Sequence, residues 1–263
     1  MNQKALQTLE FYKIIERLTD FAHSEPGKKL CRELVPSSDF HEIVQNQTET
    51  ADAVSRVRMK GSLSFAGVSD VGDSLKRLEI GGSLSAHELL SISGLLTCAA
   101  RAKNYGRHPE NQEIPDDSLD GMFRALEPLT NVNQEITRCI LSEDEIADDA
   151  SPGLRHVRRQ MKITADRVHT QLNSILNSSR TLLQDAVITM RDGRYCLPVK
   201  AEHKSQFPGM VHDQSSTGST LFIEPMAAIK LNNELRELEL QERKEIEMVL
   251  AALSMELVPY VEP

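Results

Sequence analysis

The sequence predicts a mainly α protein carrying one small β module, on three observations. Two stretches of about 33 residues each run almost free of helix breakers. Gly153 is the only glycine between Ser151-Pro152 and Asp185, and no glycine or proline interrupts the run from Pro225 to Pro259. Between them, Arg191 to Pro225 (RDGRYCLPVKAEHKSQFPGMVHDQSSTGSTLFIEP) has the texture of short strands and tight turns. Aromatic residues make up 4% and tryptophan is absent, which suits a helical core of Leu, Ile and Ala better than a large sandwich or barrel.

Each element has a local reason. Leu6, Leu9, Phe11, Ile14, Ile15 and Leu18 line one side of a first helix. Ser24-Glu25-Pro26 starts a second helix, which ends before Pro36. Ser38 or Asp39 caps a third, running to Met59 before Gly61. Asp70 to Ile80 is a short helix stopped by Gly81-Gly82. Ser85-Ala86-His87-Glu88 is a capping box that opens an apolar helix through Leu89, Ile92 and Leu96. Asn104 to Asp117, with Pro109 and Pro115, reads as a loop. Helices resume over Leu119 to Leu126 and Val132 to Leu141. Residues 1–150 are thus expected to form a helical core domain.

Ser151 as N-cap with Pro152 at the first helical position opens a long helix over 151–185, and a second covers 226–263. Each spans about 50 Å at 1.5 Å per residue. Their equal length predicts an antiparallel pair, with residues 186–225 as a β module at the far end. Asp192-Gly193 between Val187–Met190 and Tyr195–Val199 is a two-residue hairpin signal, since both turn residues need positive φ. Pro208-Gly209 reads as a second turn and Thr217-Gly218 as a third. Thr220 to Ile223 is a last short strand.

Met161, Ala165, Val168, Leu172, Ile175 and Leu182 alternate in steps of four and three, a coiled-coil spacing. The antiparallel pair would set them against Leu231, Leu235, Leu238, Ile246, Leu250 and Leu253. The first long helix carries six cations (Arg155, Arg158, Arg159, Lys162, Arg167, Arg180) against Asp166, while the second carries seven acids against four cations. Pairing between the helices uses that asymmetry directly; phosphate binding by the basic helix is the alternative. The acids Glu143, Asp144, Glu145, Asp148 and Asp149 read as a solvated turn at a helix start, with a divalent-metal site as the alternative.

The net charge of −9 argues against a wholly basic nucleic-acid wrapper, so any such contact is local. Cys31, Cys98, Cys139 and Cys196 are far apart and form no C-x-x-C, which reads as reduced thiols in a cytoplasmic protein without a metal site. No signal peptide or apolar run of about 18 residues is present, so no membrane partner is expected.

Arg191-Asp192-Gly193-Arg194-Tyr195, Pro198-Val199-Lys200, Pro208-Gly209, Val211-His212-Asp213-Gln214-Ser215, Gly218 to Pro225 and Asn232-Asn233 occur in that order. The set resembles the clamp signature of the MutS family, in its type-two bacterial branch and not the mismatch-repair MutS itself. Leu9-Glu10-Phe11 with Lys13-Ile14, and Gly81-Gly82 with Leu84, extend the resemblance over the whole chain. It implies a helical core, a lever made by the two long helices, and a clamp made by the β module. It also implies an ATPase domain using ATP and Mg, and a C-terminal Smr domain with endonuclease activity, in a homodimer. No G-x-x-x-x-G-K-[ST] occurs in the sequence, so these residues are expected to be the core, lever and clamp of a longer protein, without cofactor or catalytic residue of their own. The implied partners are DNA, branched or recombining, or the rRNA of stalled and collided ribosomes.

Within the clamp, Arg191 and Arg194 bracket the hairpin turn, and Lys200, His203 and Lys204 lie on the next connection. Ser215, Ser216, Thr217 and Gly218 add hydroxyls and backbone N–H groups. These are the residue types that meet a phosphate backbone, and they form the expected nucleic-acid-binding set. His212-Asp213 has no nucleophile or metal constellation beside it and reads as structural. Phe222-Ile223-Glu224 spells the F-x-E with which mismatch-repair MutS wedges a mispaired base. Here it falls in the clamp, and Phe222 is expected to fill the clamp's small core. Three readings follow: a sequence-neutral nucleic-acid clamp, mismatched-DNA binding, and a structural arm that transmits ATPase state and touches only protein.

Overall fold

The structure is a computed structural model that describes residues 3–107 and 116–261. It divides into two compact units, Met1–Ala147 with Leu250–Pro263, and Asp148–Val249. No described helix is long and apolar enough to cross a membrane.

The first unit contains α1 (Gln3–Thr8), α2 (Phe11–Phe21), α3 (Glu25–Glu33), α4 (Phe40–Lys60), α5 (Gly72–Glu79), α6 (Ala86–Gly106), α7 (Asp120–Ala125) and α8 (Thr130–Cys139). The short strands β1 (Ile140–Ser142) and β2 (Glu145–Ile146) follow. The expected caps form. Asp39 accepts from the backbone N–H of His41 at 2.8 Å and of Glu42 at 3.2 Å, and the Ser85–Glu88 capping box closes in both directions. The core gathers on α6, where Leu89, Ile92 and Leu96 are buried together with Leu78, Leu84, Ile136 and Ile140. Arg56 is the one buried residue of α4. Its guanidinium donates to Asp117 and Asp120 at 2.6 Å each and lies over the Phe123 ring at 5.0 Å. By contrast α2 and α3 bury no residue, and Phe21, Leu30, Val35 and Phe40 stand open to solvent.

Three expectations change here. The single first helix breaks into α1 and α2 because Glu10 adopts a left-handed φ of 52°. Asn104 to Gly106, expected in a loop, are helical because α6 continues to Gly106; the rest of that expected loop, with Pro109 and Pro115, falls largely outside the described residues. The helix expected to reach Leu141 stops at Cys139, where Ile140 turns extended and pairs with Ile146. The acidic stretch is therefore partly a hairpin, whose Glu143 meets His87 at 2.8 Å.

The second unit is built from α9 (Pro152–Ser178), the strands β3 (Thr189–Arg191), β4 (Arg194–Lys200), β5 (Gly209–Gln214) and β6 (Thr220–Pro225), and α10 (Met226–Leu257), whose last residues from Leu250 belong to the first unit. Ser151 caps α9 as expected, accepting from Leu154 N–H at 2.9 Å. Its hydroxyl also donates to Glu245 at 3.3 Å. Arg158 Nε donates to Glu242 at 2.8 Å and the Thr164 hydroxyl to Glu234 at 3.1 Å. As α9 advances its partners on α10 recede, so the two helices run antiparallel.

The details of that pairing differ from the sequence reading. α9 ends at Ser178, seven residues before Asp185, and residues 179–183 make turns before Leu183 bridges to Val199. The buried stripe is Leu154, Val157, Thr164, Val168, Leu172 and Leu176, not the expected Met161, Ala165, Ile175 and Leu182 positions. From Thr164 onward it steps by four, so it slants round the helix instead of keeping a coiled-coil seam. Charge pairing between the helices is also sparse. Arg158 reaches Glu242 and Asp148, and Arg155 meets Asp149. No ion pair engages Arg159, Lys162 or Arg167 among the described residues, because they lie on the face away from the buried stripe.

The sheet is antiparallel in the order β3-β4-β6-β5. Asp192 and Gly193 take φ of 50° and 71°, the predicted hairpin turn. Leu197 and Val199 pair with Ile223 and Leu221. This apolar face packs on Val168, Leu172 and Leu176 of α9 and Ala228 of α10, with Phe207 at its edge. The core under the sheet is thus shared with the long helices and is not private to the β module. Pro208-Gly209 is not a turn: Gly209 opens β5 opposite Pro225, where a Cβ would come within 2.3 Å of the Glu224 carbonyl oxygen.

Candidate nucleic-acid interface

The sheet's second face carries a buried polar cluster. Side chains alternate along a strand, so Phe222 and Glu224 of β6 point away from the Leu221–Ile223 core. Glu224 is 1% exposed. Its carboxylate accepts from Arg194 Nη1 at 3.1 Å, Asn232 Nδ2 at 2.7 Å and His212 Nε2 at 2.7 Å. His212 reaches it because β5 is bulged between Val211 and Asp213. Asn232 also pairs with the Tyr195 main chain, accepting from its N–H at 3.3 Å and donating to its C=O at 3.2 Å. A side chain of α10 thus continues the ladder of β4 past the end of β6.

Cys196 of β4 is fully buried and makes no hydrogen bond to His212 among the described residues. Burial, with the Glu224 carboxylate adding to it, pushes its thiol up to about 12, so the nucleophilic thiolate is scarce. Among the described residues no group of His, Cys, Asp and Glu is arranged to hold a metal ion.

Phe222 does not fill the core. It is half-buried on the polar face, and the Arg191 guanidinium carbon lies 3.9 Å from its ring centroid. Arg191 Nε also meets Asp213 at 3.1 Å.

The expected binding residues separate into two groups. Arg191 and Arg194 sit directly opposite one another in the β3–β4 register, at the end of β4 that lies beside Asn232 of α10. Both are engaged with protein carboxylates. At the other end of β4, about 20 Å away for a strand of this length, Lys200 pairs with Thr220. There Ala201 N–H donates to the Ser219 carbonyl at 2.9 Å, which joins two connections. One is the 3-10 turn Ala201–Gln206 with His203 and Lys204; the other is the Ser215–Gly218 turn. Gly218 closes that turn with φ 71°, and Ser215, Thr217 and Ser219 hydroxyls link along it at 3.4 and 2.8 Å. Lys204, Ser216, Thr217 and Gly218 are exposed and Lys200 and Ser215 half-exposed. His203 Nε2 lies 3.5 Å from Glu202, while its Nδ1 is buried without a partner.

Glu224 and Asn232 carry the architecture of the site; both fall in the clamp signature, but neither was among the expected binding residues. Asn232 had a signal: it falls four residues after Ala228 and three before Leu235, inside the buried stripe of α10.

No family model matches the sequence. The protein named endonuclease MutS2 of Lachnoclostridium phytofermentans is 58% identical over 260 residues, which is 97% of this chain and 33% of that protein. Those of Agathobacter rectalis and Lachnospira eligens are 55% and 53% identical, each over 97% of this chain and 32% of the relative. The chain spans about a third of the length of the curated relatives it matches.

Proposed function

This chain belongs to the type-two MutS family along nearly its whole length, and on that premise we propose that it is the core, lever and clamp region of a larger nucleic-acid-binding ATPase. In this reading α9 and α10 are the lever and the four-stranded sheet is the clamp. Residues outside the chain supply ATP and Mg binding, the endonuclease activity for which the relatives are named, and closure of a homodimer. The ligand is DNA or the rRNA of a ribosome; both present dense phosphate, which a sequence-neutral clamp requires.

The observation that carries the reading is the end of the sheet formed by Lys200, Lys204 and Ser215–Gly218. It combines cations without a carboxylate partner among the described residues with exposed hydroxyls and a glycine turn, the groups that position a phosphate backbone. Arg194 is different. Its tie to Glu224 makes it a support for the sheet, and reversing its charge would set two acids together in a buried cluster. The mismatch reading has less support, because Phe222 lies under Arg191 and is not free to wedge. The protein-only arm is the second reading, favoured by the arginines' engagement with Asp213 and Glu224.

The test is Lys200→Glu with Lys204→Glu in the full-length protein, where two clamps in a dimer gain by avidity. Affinity should fall for every sequence alike, and the slope of log affinity against log salt should drop by about 0.7–0.9 for each phosphate that is no longer neutralised. Unchanged affinity and slope would favour the protein-only arm. Copurification of ribosomes, with and without nuclease, separates the two ligands.

A further inference from the structure

We infer that Arg191 is a stacking platform for an unpaired nucleobase. This rests on the nucleic-acid reading above and adds a ligand class to it: single-stranded or splayed nucleotides, beyond the phosphate backbone. The Arg191 guanidinium carbon lies over the Phe222 ring, 3.9 Å from its centroid. Two edges of the guanidinium are also fixed. Nε meets Asp213 Oδ2 at 3.1 Å, and Nη1 donates to the Met190 carbonyl at 2.8 Å. With those edges held, 36% of the side chain is still open to solvent, and the base is proposed to take the guanidinium face turned away from Phe222.

A guanidinium held over a ring, by an ion pair and by a hydrogen bond has less rotamer freedom left to oppose stacking. Bases of single strands stack on arginine planes as they do on aromatic rings, and every base has a π face to offer. Nη2 remains a donor at the rim for a base edge or a neighbouring phosphate. The ring beneath is part of the device. Phe222 points away from the Leu221–Ile223 core, so it adds little to that core and instead sets the height and tilt of the arginine. A duplex keeps its bases stacked on one another and offers this platform only phosphate.

The probes are a 12-nucleotide single strand with a central 2-aminopurine, as DNA and as RNA, and the matched 12-base-pair duplex. Each is titrated against the full-length protein. Arg191→Lys keeps the charge and removes the plane; Phe222→Leu keeps the apolar contact and removes the ring. Stacking worth roughly 1–3 kcal/mol per base corresponds to about five- to 150-fold. Both variants should therefore lose at least about five-fold in single-strand affinity relative to duplex affinity, with the 2-aminopurine quench reduced. The salt slope of Arg191→Lys should match the wild type, because no charge is lost. An unchanged ratio and quench in Arg191→Lys, with Lys200→Glu/Lys204→Glu still weakening both ligands, overturns the platform and leaves the phosphate reading standing. Absence of binding to any of the three probes by the wild type overturns both. Equal losses in the DNA and RNA strands assign the platform to the base itself; loss in one alone assigns the sugar a part.

Discussion

Glu224→Ala should open the sheet locally, whereas Glu224→Gln should leave it closed. The carboxylate is 1% exposed and accepts from three donors, on Arg194, Asn232 and His212. Removing it leaves those donors around a dry gap. Deleting one partner of a buried ion pair costs about 3–5 kcal/mol. Arg194 keeps 25% of its side chain in solvent and can turn partly to water, so the low end, about 3 kcal/mol, applies. Glutamine keeps a carbonyl oxygen for Arg194 and Asn232. Its amide N–H can donate to His212 Nε2 once the imidazole proton sits on Nδ1. What it loses is the charge assistance of the hydrogen bonds, about 1 kcal/mol.

Amide hydrogen exchange over β4 and β6 reads these costs directly, because local opening sets the exchange rate there. A loss of 3 kcal/mol is about 150-fold in the opening equilibrium, and 1 kcal/mol about five-fold. Exchange in β4 and β6 should thus quicken by two orders of magnitude in Glu224→Ala and by less than one in Glu224→Gln, with α6 unaffected in both. Equal effects of the two variants would refute the acceptor role of the carboxylate. An effect below about three-fold in Glu224→Ala would show that the cluster holds nothing together.

Arg56→Ala should cost about 3–5 kcal/mol in urea unfolding of the first unit, since Asp120 is 3% exposed and would lose the guanidinium that pairs with its buried carboxylate. Arg56 also holds the Asp117 carboxyl below the usual carboxylate range. That stabilisation is complete above the unfolded pKa of about 3.9 and is lost as pH falls through the folded value. Urea midpoints of wild type and Arg56→Ala should therefore converge as pH drops below about 4. Gly193→Ala should destabilise the β3–β4 hairpin by about 1–2 kcal/mol, because φ there is 71°; hydrogen exchange at Tyr195 and Met190 checks it. Thiol labelling at pH 8.5 should modify Cys31 quickly and Cys98, Cys139 and Cys196 only on unfolding. All three slow thiols are buried, and burial pushes Cys139 up to about 11 and Cys196 up to about 12.

Much of this fold was legible because its signals are local. The Ser151-Pro152 start, the Ser85–Glu88 box and the Asp192-Gly193 turn each depend on a few neighbouring residues, and each forms as read. Where the sequence misled, distant partners decide. Phe222 looked like core because it is large and apolar, yet strand alternation puts Leu221 and Ile223 inside and leaves Phe222 to Arg191. The charge asymmetry of the long helices suggested pairing, yet helix geometry turns Arg159, Lys162 and Arg167 away from the buried stripe. The binding residues looked like one group because they are close in sequence. An extended β4 carries them to opposite ends of one strand.

That separation bears on how a load at one end of the sheet would reach the helices. β6 passes straight into α10: Pro225 is the last strand residue and Met226 the first of the helix. The Met226 N–H is already held by the Pro208 carbonyl at 3.2 Å. No loop intervenes to absorb a displacement. One turn and a half further on, Asn232 ties α10 to the main chain of β4 and to Glu224, which lies on β6 itself. Strand, helix and neighbouring strand are therefore joined at two places along α10, by a covalent bond and by a buried hydrogen-bond cluster. A hinge between the sheet and α10 would have to break that cluster. The polar residues inside the second unit thus tie the sheet and the start of α10 into one piece, and a load on the Ser215–Gly218 turn would reach the helix directly.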